Sequence, residues 1–459
     1  MRGLIGDRAF YRMVLTVAVP IMVQNGVSSF VSLLDNLMIG RVGTNALSGV
    51  AISNQLIFVY YLLVFGASAG AGIFTAQYHG CGDTEGVRNT FRFKLLINTA
   101  LTLASIAVYA LFADVLIGLF LKGEGDPADA AETLLLGKEY LYIMLIGLVP
   151  VGLTNSYSGT LRETGETRVP MVASIVAILV NLVGNALLIY GLFGLPALGA
   201  AGAAIATVAS RFVELAVLAV YTALHAKQHP FITGAFRHFH VPARQAGKFM
   251  LKCLPLMANE TLWALGQTMM NQSYSYRSLD AVAALNIETT IWNLMGVAFI
   301  AMGDAVGIVI GQILGSGDVE KAKDHAKKMI AFTIGWGILF GIITLIAAPF
   351  FPLFYKTSTA IRQMATKLIL IYGILMPFYA FTHASYFTIR AGGNTLITFV
   401  FDSCFVWLIS VPVAYALSRF TRMDVVLMVL IVQSLELIKC LIGYAMVRSG
   451  IWAKNIVGK

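Results

Sequence analysis

The sequence predicts an all-α integral membrane protein, with about twelve transmembrane helices in two pseudo-symmetric six-helix bundles. Three observations carry that expectation. Of 459 residues, 58% are hydrophobic and 12% charged, with a mean hydropathy of +0.79, whereas a soluble domain carries about 25% charged residues. Apolar runs recur from end to end, each about 20 residues or longer, enough for a helix to cross a hydrocarbon core about 30 Å thick. Finally, the chain repeats itself. A shift of 235 places Pro20 on Pro255, Gly72 on Gly307, Gln77 on Gln312, Gly80 on Gly315, Gly82 on Gly317, Asp83 on Asp318 and Glu85 on Glu320.

The N-terminal stretch MRGLIGDRAFYRM is a short basic lead without a small-residue cleavage site, so the first span is expected to remain in the mature protein. That span, VPIMVQNGVSSFVSLLDNLMIG, contains one carboxylate, Asp35, in a run otherwise uncharged after Arg12. The second span ends in QYHGCGDTEG and the eighth in QILGSGDVEK, plainly the same loop. LRETGETR after the fourth span corresponds to IRAGGNTL after the tenth at a shift of 228. The fifth span carries NLVGNALLIYG, and SRFVEL of the sixth faces QSLELIK of the twelfth, pairing Glu214 with Glu436. Prolines inside spans, at 20, 150, 255, 377 and 412, each remove a backbone hydrogen bond and invite a kink.

The expected organisation is an N-terminal six-helix lobe over residues 1–224, a cytoplasmic linker over 225–249 and a C-terminal six-helix lobe over 250–459. Six spans per half bring both halves in from the same side, so the repeat is parallel about an axis along the membrane normal. Such paired bundles favour transport by alternating access. With twelve spans, about two thirds of the 32 Lys and Arg residues fall in segments on the side of the N-terminus. This bias predicts a multi-pass protein of the plasma (inner) membrane with both termini cytoplasmic.

The net charge of +9 follows this topology instead of clustering on a soluble surface, so no nucleic-acid partner is expected. The linker histidines, His238 and His240, sit in a basic stretch that reads as a juxtamembrane surface more than a metal site. Cys81, Cys253, Cys404 and Cys440 show no C-x-x-C spacing and are read as packing residues. The chain has no nucleotide-binding G-x-x-x-x-G-K-[ST] loop, no D-D-x-x-D and no H-E-x-x-H, so it is not expected to be an enzyme.

A charge inside the membrane costs at least about 2.5 to 3.5 kcal/mol and needs a partner, a proton or a cation. Asp35 has no basic residue in its own span. Candidate helpers are Asn181 and Asn185, four apart and hence on one face of the fifth span, Asn155 in the fourth and Thr207 in the sixth. One carboxylate, amide carbonyls and a hydroxyl supply the oxygens a hard cation requires, so Na⁺ at Asp35 and Asn181 is the metal to consider. In the second half Glu260 follows Pro255 in PLMANETLW, Asp402 lies in the eleventh span and His383 in the tenth. Arg211 with Glu214, and Glu436 with Lys439, are three residues apart and are expected to form structural ion pairs.

In their order and duplication these motifs resemble the multidrug and toxic compound extrusion (MATE) family over nearly the whole chain. The resemblance implies cation-coupled export of bulky, often cationic and amphipathic organic compounds, energised by H⁺ or Na⁺, with no other cofactor. It also implies an N-lobe cation site, carried over to Asp35, Asn155, Asn181 and Thr207. The position of Asn185 is an aspartate in some members, so this chain would hold one negative charge there instead of two. Another branch places a coupling glutamate in the helix that holds Glu260, often with an aspartate in the tenth span; here that span has His383 and no acid, and Asp402 is the candidate replacement.

The function expected is therefore a multidrug antiporter, with Pro20 as a hinge, the lipid bilayer and small organic substrates as partners, and a monomer as the working unit. A lipid-linked oligosaccharide flippase of the same superfamily is the alternative, and a membrane-embedded enzyme a more distant one. A flippase handling pyrophosphate would carry several basic residues in its cavity, whereas the intramembrane charges here are mostly acidic.

Overall fold

The computed structural model describes residues 4–40, 42–121, 126–194, 196–237 and 239–458. Arg2, Arg41, Lys122, His238 and Lys459, which enter the charge and histidine readings above, lie outside them. Among the described residues there is no strand. The first half consists of α1 (Arg8–Gly40), α2 (Thr44–Gly80), α3 (Thr84–Gly118), α4 (Pro127–Glu163), α5 (Arg168–Tyr190) and α6 (Gly199–Leu224). The second contains α7 (Ala243–Ser275), α8 (Leu279–Gly315), α9 (Val319–Ala347) and α10 (Thr359–Ala391), then α11 (Thr395–Phe420) and α12 (Val425–Ser449).

Eleven of these are long and apolar enough to cross a membrane among the described residues. The exception is α7, which has the length, at 33 residues, but interrupts its apolar run with Asn259, Glu260, Gln267, Asn271 and Gln272.

The helix ends follow the residues that stand there. Asp126, Ser278, Asp318, Ser358 and Asp424 cap α4, α8, α9, α10 and α12, each accepting a backbone N–H of the first turn. The repeated loops need left-handed glycines at matching places: φ is 77° at Gly82 and 88° at Gly317, 91° at Gly165 and 78° at Gly393. The duplicated G-x-G-D and T-G motifs are thus turn chemistry first. Inside α11, two wide π-type turns, Val400–Cys404 and Val406–Ser410, precede Pro412. A proline supplies no N–H, and π turns absorb such a break without ending the helix.

The chain packs into two compact units. One holds residues 23–75 and 84–253. In it α3 and α6 pack on α4, and α5 on α6. Hydroxyls tie these spans together: Ser53 donates to the Gly137 carbonyl at 2.8 Å, Tyr60 to Leu148 at 2.8 Å and Tyr109 to Leu56 at 2.7 Å. In hydrocarbon such bonds and close small-residue contacts replace the hydrophobic drive between helices. The stretch 225–249 belongs to this unit. Arg92 donates to the carbonyls of Gly234 and Ala235, and Arg88 to that of Pro230, while α7 begins at Ala243 within the stretch.

The other unit holds residues 1–22, 76–83 and 254–459. It repeats the packing scheme, with α9 and α12 on α10, and α8 also on α10. Gly337 and Gly341 of α9 lie against Pro377, Ala380 and the Gly373 carbonyl of α10. The end of α2 crosses the end of α8 here. A Cβ on Gly80 would strike the Gln312 backbone, and one on Gly315 would strike the Gln77 backbone. The shift-related residues therefore meet each other reciprocally.

The four cysteines are free. Cys253 is buried and donates to the Ala67 carbonyl at 3.1 Å. Cys81, read from sequence as a packing residue, is instead exposed in the loop after α2.

Because backbone cannot move aside as a flexible side chain does, Gly80→Ala and Gly315→Ala should each destabilise the protein by about 1–3 kcal/mol. Gly247→Ala, with open space around its Cα, serves as the control. Melting temperatures of the purified variants in detergent read the difference.

Candidate functional site

In the first unit the lone acid of α1 meets α5 and α6. Asn185 donates its Nδ2 to Asp35 Oδ1 at 2.7 Å. Asn181, one turn earlier on α5, faces the same carboxylate. With its amide oxygen toward the Thr207 hydroxyl at 3.0 Å, its nitrogen lies 3.2 and 3.3 Å from the two Asp35 oxygens. Asn181 and Asn185 are buried, while Asp35 and Thr207 are half-buried. Four of the five expected residues are thus brought together. Asn155 is not joined to them by a hydrogen bond among the described residues; its Nδ2 donates back to the Val151 carbonyl of its own helix at 3.1 Å.

A basic group does act on Asp35, from a span the sequence did not connect with it. The Arg211 guanidinium pairs with Glu214 at 2.9 Å, as its spacing predicts, and its charge also reaches Asp35. Glu214 is further held by a chain of bonds that leads away from it. Ser174 donates to Glu214 at 2.5 Å, Gln24 donates to Ser174 at 2.5 Å, and Arg162 donates to the Gln24 oxygen at 2.6 Å. Gln24 and Ser174 carry no charge, and nothing in their spacing singles them out. A second pair, between buried Lys94 and half-buried Glu163, joins α3 to α4.

In the second unit, Asp402 sits in the first π turn of α11. Lys439 pairs with it at 2.6 Å, and Asn259 donates to it at 3.1 Å. Asn259, fully buried next to Glu260, also bonds Tyr386 at 3.2 Å and accepts from the Ser403 hydroxyl at 2.8 Å. The expected Glu436–Lys439 pair is therefore corrected in its direct contacts: Lys439 reaches across to α11 and Glu436 accepts from the Thr382 hydroxyl, while the two charges still act on each other. The π turns carry Asp402 on a widened stretch of α11 that meets α12, which spacing along one helix cannot reveal.

Glu260 is half-buried and interacts electrostatically with Arg390, Asp402 and Asp304. Asp304, on α8, was not singled out from sequence. His383 lies against Gly303 and between the rings of Phe299 and Phe387, with centroids 6.0 and 4.9 Å away. Among the described residues, no group of three or more His, Cys, Asp or Glu is arranged to hold a metal ion. Around Asp35 a single carboxylate meets the nitrogens of two amides, and the Asn181 oxygen is turned to the Thr207 hydroxyl.

The sequence pattern that defines the MatE family matches residues 20–187 and 255–416, one stretch in each repeat half. The chain belongs to the MatE family. MatE proteins are membrane transporters and not enzymes. Among similar MatE relatives, the probable multidrug resistance protein NorM of Thermotoga maritima is 24% identical over 413 residues, covering 89% of this chain and 86% of its own. The multidrug resistance protein PmpM of Pseudomonas aeruginosa is 24% identical over 424 residues, covering 89% and 84%. A solved outward-facing multidrug resistance MATE transporter of the MOP superfamily superposes with a TM-score of 0.86 at 19% identity, covering 98% of both chains. A MOP superfamily transporter from Pyrococcus furiosus does so with a TM-score of 0.84 at 20% identity, again over 98% of both. The matched MatE stretches contain every expected site residue except Thr207.

Removing one partner of a buried ion pair leaves an uncompensated charge. Lys439→Met should therefore destabilise this MatE chain by about 3–5 kcal/mol, and Asp402→Asn in the same protein should restore most of the loss. A double-mutant cycle of unfolding free energies in detergent checks both statements.

Proposed function

We propose that this protein exports amphipathic, often cationic organic compounds by alternating access, driven by H⁺ or Na⁺ moving inward through the Asp35 cluster. It works in the plasma membrane as a monomer with both termini cytoplasmic. The observation that carries the reading is the carboxylate of Asp35, held inside a span by Asn185, Asn181 and, through Asn181, Thr207. Its contacts are amides, and the one guanidinium acting on it is already paired with Glu214. A proton or Na⁺ can thus join and leave without breaking an ion pair of its own. Each positive charge entering down a potential of 100 mV supplies about 2.3 kcal/mol. The multidrug resistance names of NorM and PmpM support the substrate class.

Coupling also requires helix movement, and Pro20 offers a place for it. It lies inside α1, and the compact units divide that helix two residues later, between Met22 and Val23. Binding at Asp35 and bending near Pro20 are therefore linked through one continuous helix.

Proteoliposomes with an imposed pH or Na⁺ gradient test the reading. Wild type should accumulate ethidium under one of the two gradients, and Asp35→Asn should fall to the level of protein-free liposomes while retaining its melting temperature. Normal gradient-driven uptake by Asp35→Asn would remove the coupling assignment. Pro20→Ala should slow uptake under the same gradient and leave ethidium affinity intact; unchanged rates would remove the hinge.

A further inference from the structure

The stretch between α6 and α7 has a surface that transport leaves unused. From Glu214 to Glu260 the chain carries no acid in between, and Lys227, Arg237, Arg244 and Lys248 all stand exposed along it. Two further cations hold its backbone from within. Arg92 donates to the carbonyls of Gly234, Ala235 and His240 at 2.8, 2.9 and 3.4 Å, and Arg88 to that of Pro230 at 3.1 Å. Charge-assisted bonds of this kind fix the stretch to α3 as a shaped surface, not a slack tether.

Its outer face carries aromatic rings. Phe231 is buried and packs edge-on against Phe91 of α3, with centroids 5.3 Å apart. Phe236 also meets Phe91, at 6.3 Å, but leaves 58% of its surface exposed. Phe239, 44% exposed, lies parallel to Phe236 within 7° at 6.3 Å. Exposed rings set side by side among cations are the composition of an element lying in the headgroup layer of a bilayer.

The flanking helices place that layer. At the end of α6, exposed Leu224 is followed three residues on by exposed Lys227; at the start of α7, exposed Lys248 precedes exposed Leu251 by three. Exposed leucine suits hydrocarbon and exposed lysine suits headgroups, so both crossings change solvent within about one turn. Arg244 and Lys248, four apart, share one face of α7. Phe91 stands seven residues into α3, about 10 Å along it, so a loop whose rings reach Phe91 folds back along the spans.

We infer that Lys227, Arg237, Arg244 and Lys248, with the Phe236 and Phe239 rings, form a docking surface for anionic phospholipids of the surrounding bilayer. The cations pair with lipid phosphates, and the two rings settle among the first acyl carbons. A protein partner fits this surface less well, because the bilayer already occupies the layer in which it lies.

The test uses the full chain purified in detergent and offered equal amounts of phosphatidylglycerol and phosphatidylcholine, with retained lipids counted by native mass spectrometry. Wild type should retain phosphatidylglycerol in preference. Arg237→Gln, Arg244→Gln and Lys248→Gln combined should cut that preference about tenfold or more, whereas Arg237→Lys with Arg244→Lys keeps the charges and should preserve it. Phe236→Ser with Phe239→Ser should weaken both lipids alike, since the rings do not read headgroup charge. Lys321→Gln, Lys327→Gln and Arg448→Gln, at exposed positions elsewhere, should leave the preference in place. An equal fall in that control overturns the inference, because total charge and not this surface would then attract the lipid. So does an unchanged preference in the first triple variant, or one that millimolar inorganic phosphate abolishes, which would mark a site for soluble anions. A first triple variant that melts well below wild type and loses both lipids also overturns it, by assigning these side chains to folding.

Discussion

A carboxylate in hydrocarbon must be matched, and the polar architecture of this protein is organised by that requirement. Each half answers it differently. Around Asp35 the matching groups are neutral amides, with an arginine that divides its charge between two acids. Around Asp402 the match is a lysine from the neighbouring span, backed by an asparagine. Asp402 thus sits against a full positive charge, whereas Asp35 sits against uncharged amide nitrogens. The difference arises on the same helical framework, because the repeat copies helices and turns but not these side chains. Met270 stands at the place in the second half that Asp35 holds in the first.

Much of the framework was legible in the residues. Composition and run length gave the helices, and the shift of 235 revealed the duplicated loops before any coordinates. The left-handed glycines explain why that signal is so strong, since Gly82 and Gly317 hold backbone conformations that other residues resist. Among the described residues, α7 is the helix that falls short of a membrane span by composition, and it is also the helix that holds Glu260; polarity within a span marks both.

Of the candidate sites, the parts legible from sequence were those that lie on one helix or follow from the family resemblance. Asn181 and Asn185 share a face by spacing, and Arg211 pairs with Glu214 three residues on. Interactions across helices were not legible. Lys439 pairs with a residue 37 positions away, in a π turn of the neighbouring helix, and Gln24 meets Ser174 across 150 positions.

The close of α2 has a consequence for how the protein is made. Gln77 donates to the carbonyls of Ala391 and Lys454, at 2.9 and 3.2 Å, and accepts from the Ile456 N–H at 2.8 Å. This glutamine therefore receives its last partner only after more than 370 further residues have been made. The unit of residues 23–75 and 84–253 has all its segments as soon as residue 253 emerges, whereas the other must hold residues 1–22 and 76–83 in reserve. Domains emerging from the ribosome fold as units in the order of their completion. Biogenesis thus runs asymmetrically on a symmetric design, and the segment holding Lys454 and Ile456 acts as a clasp on the end of α2.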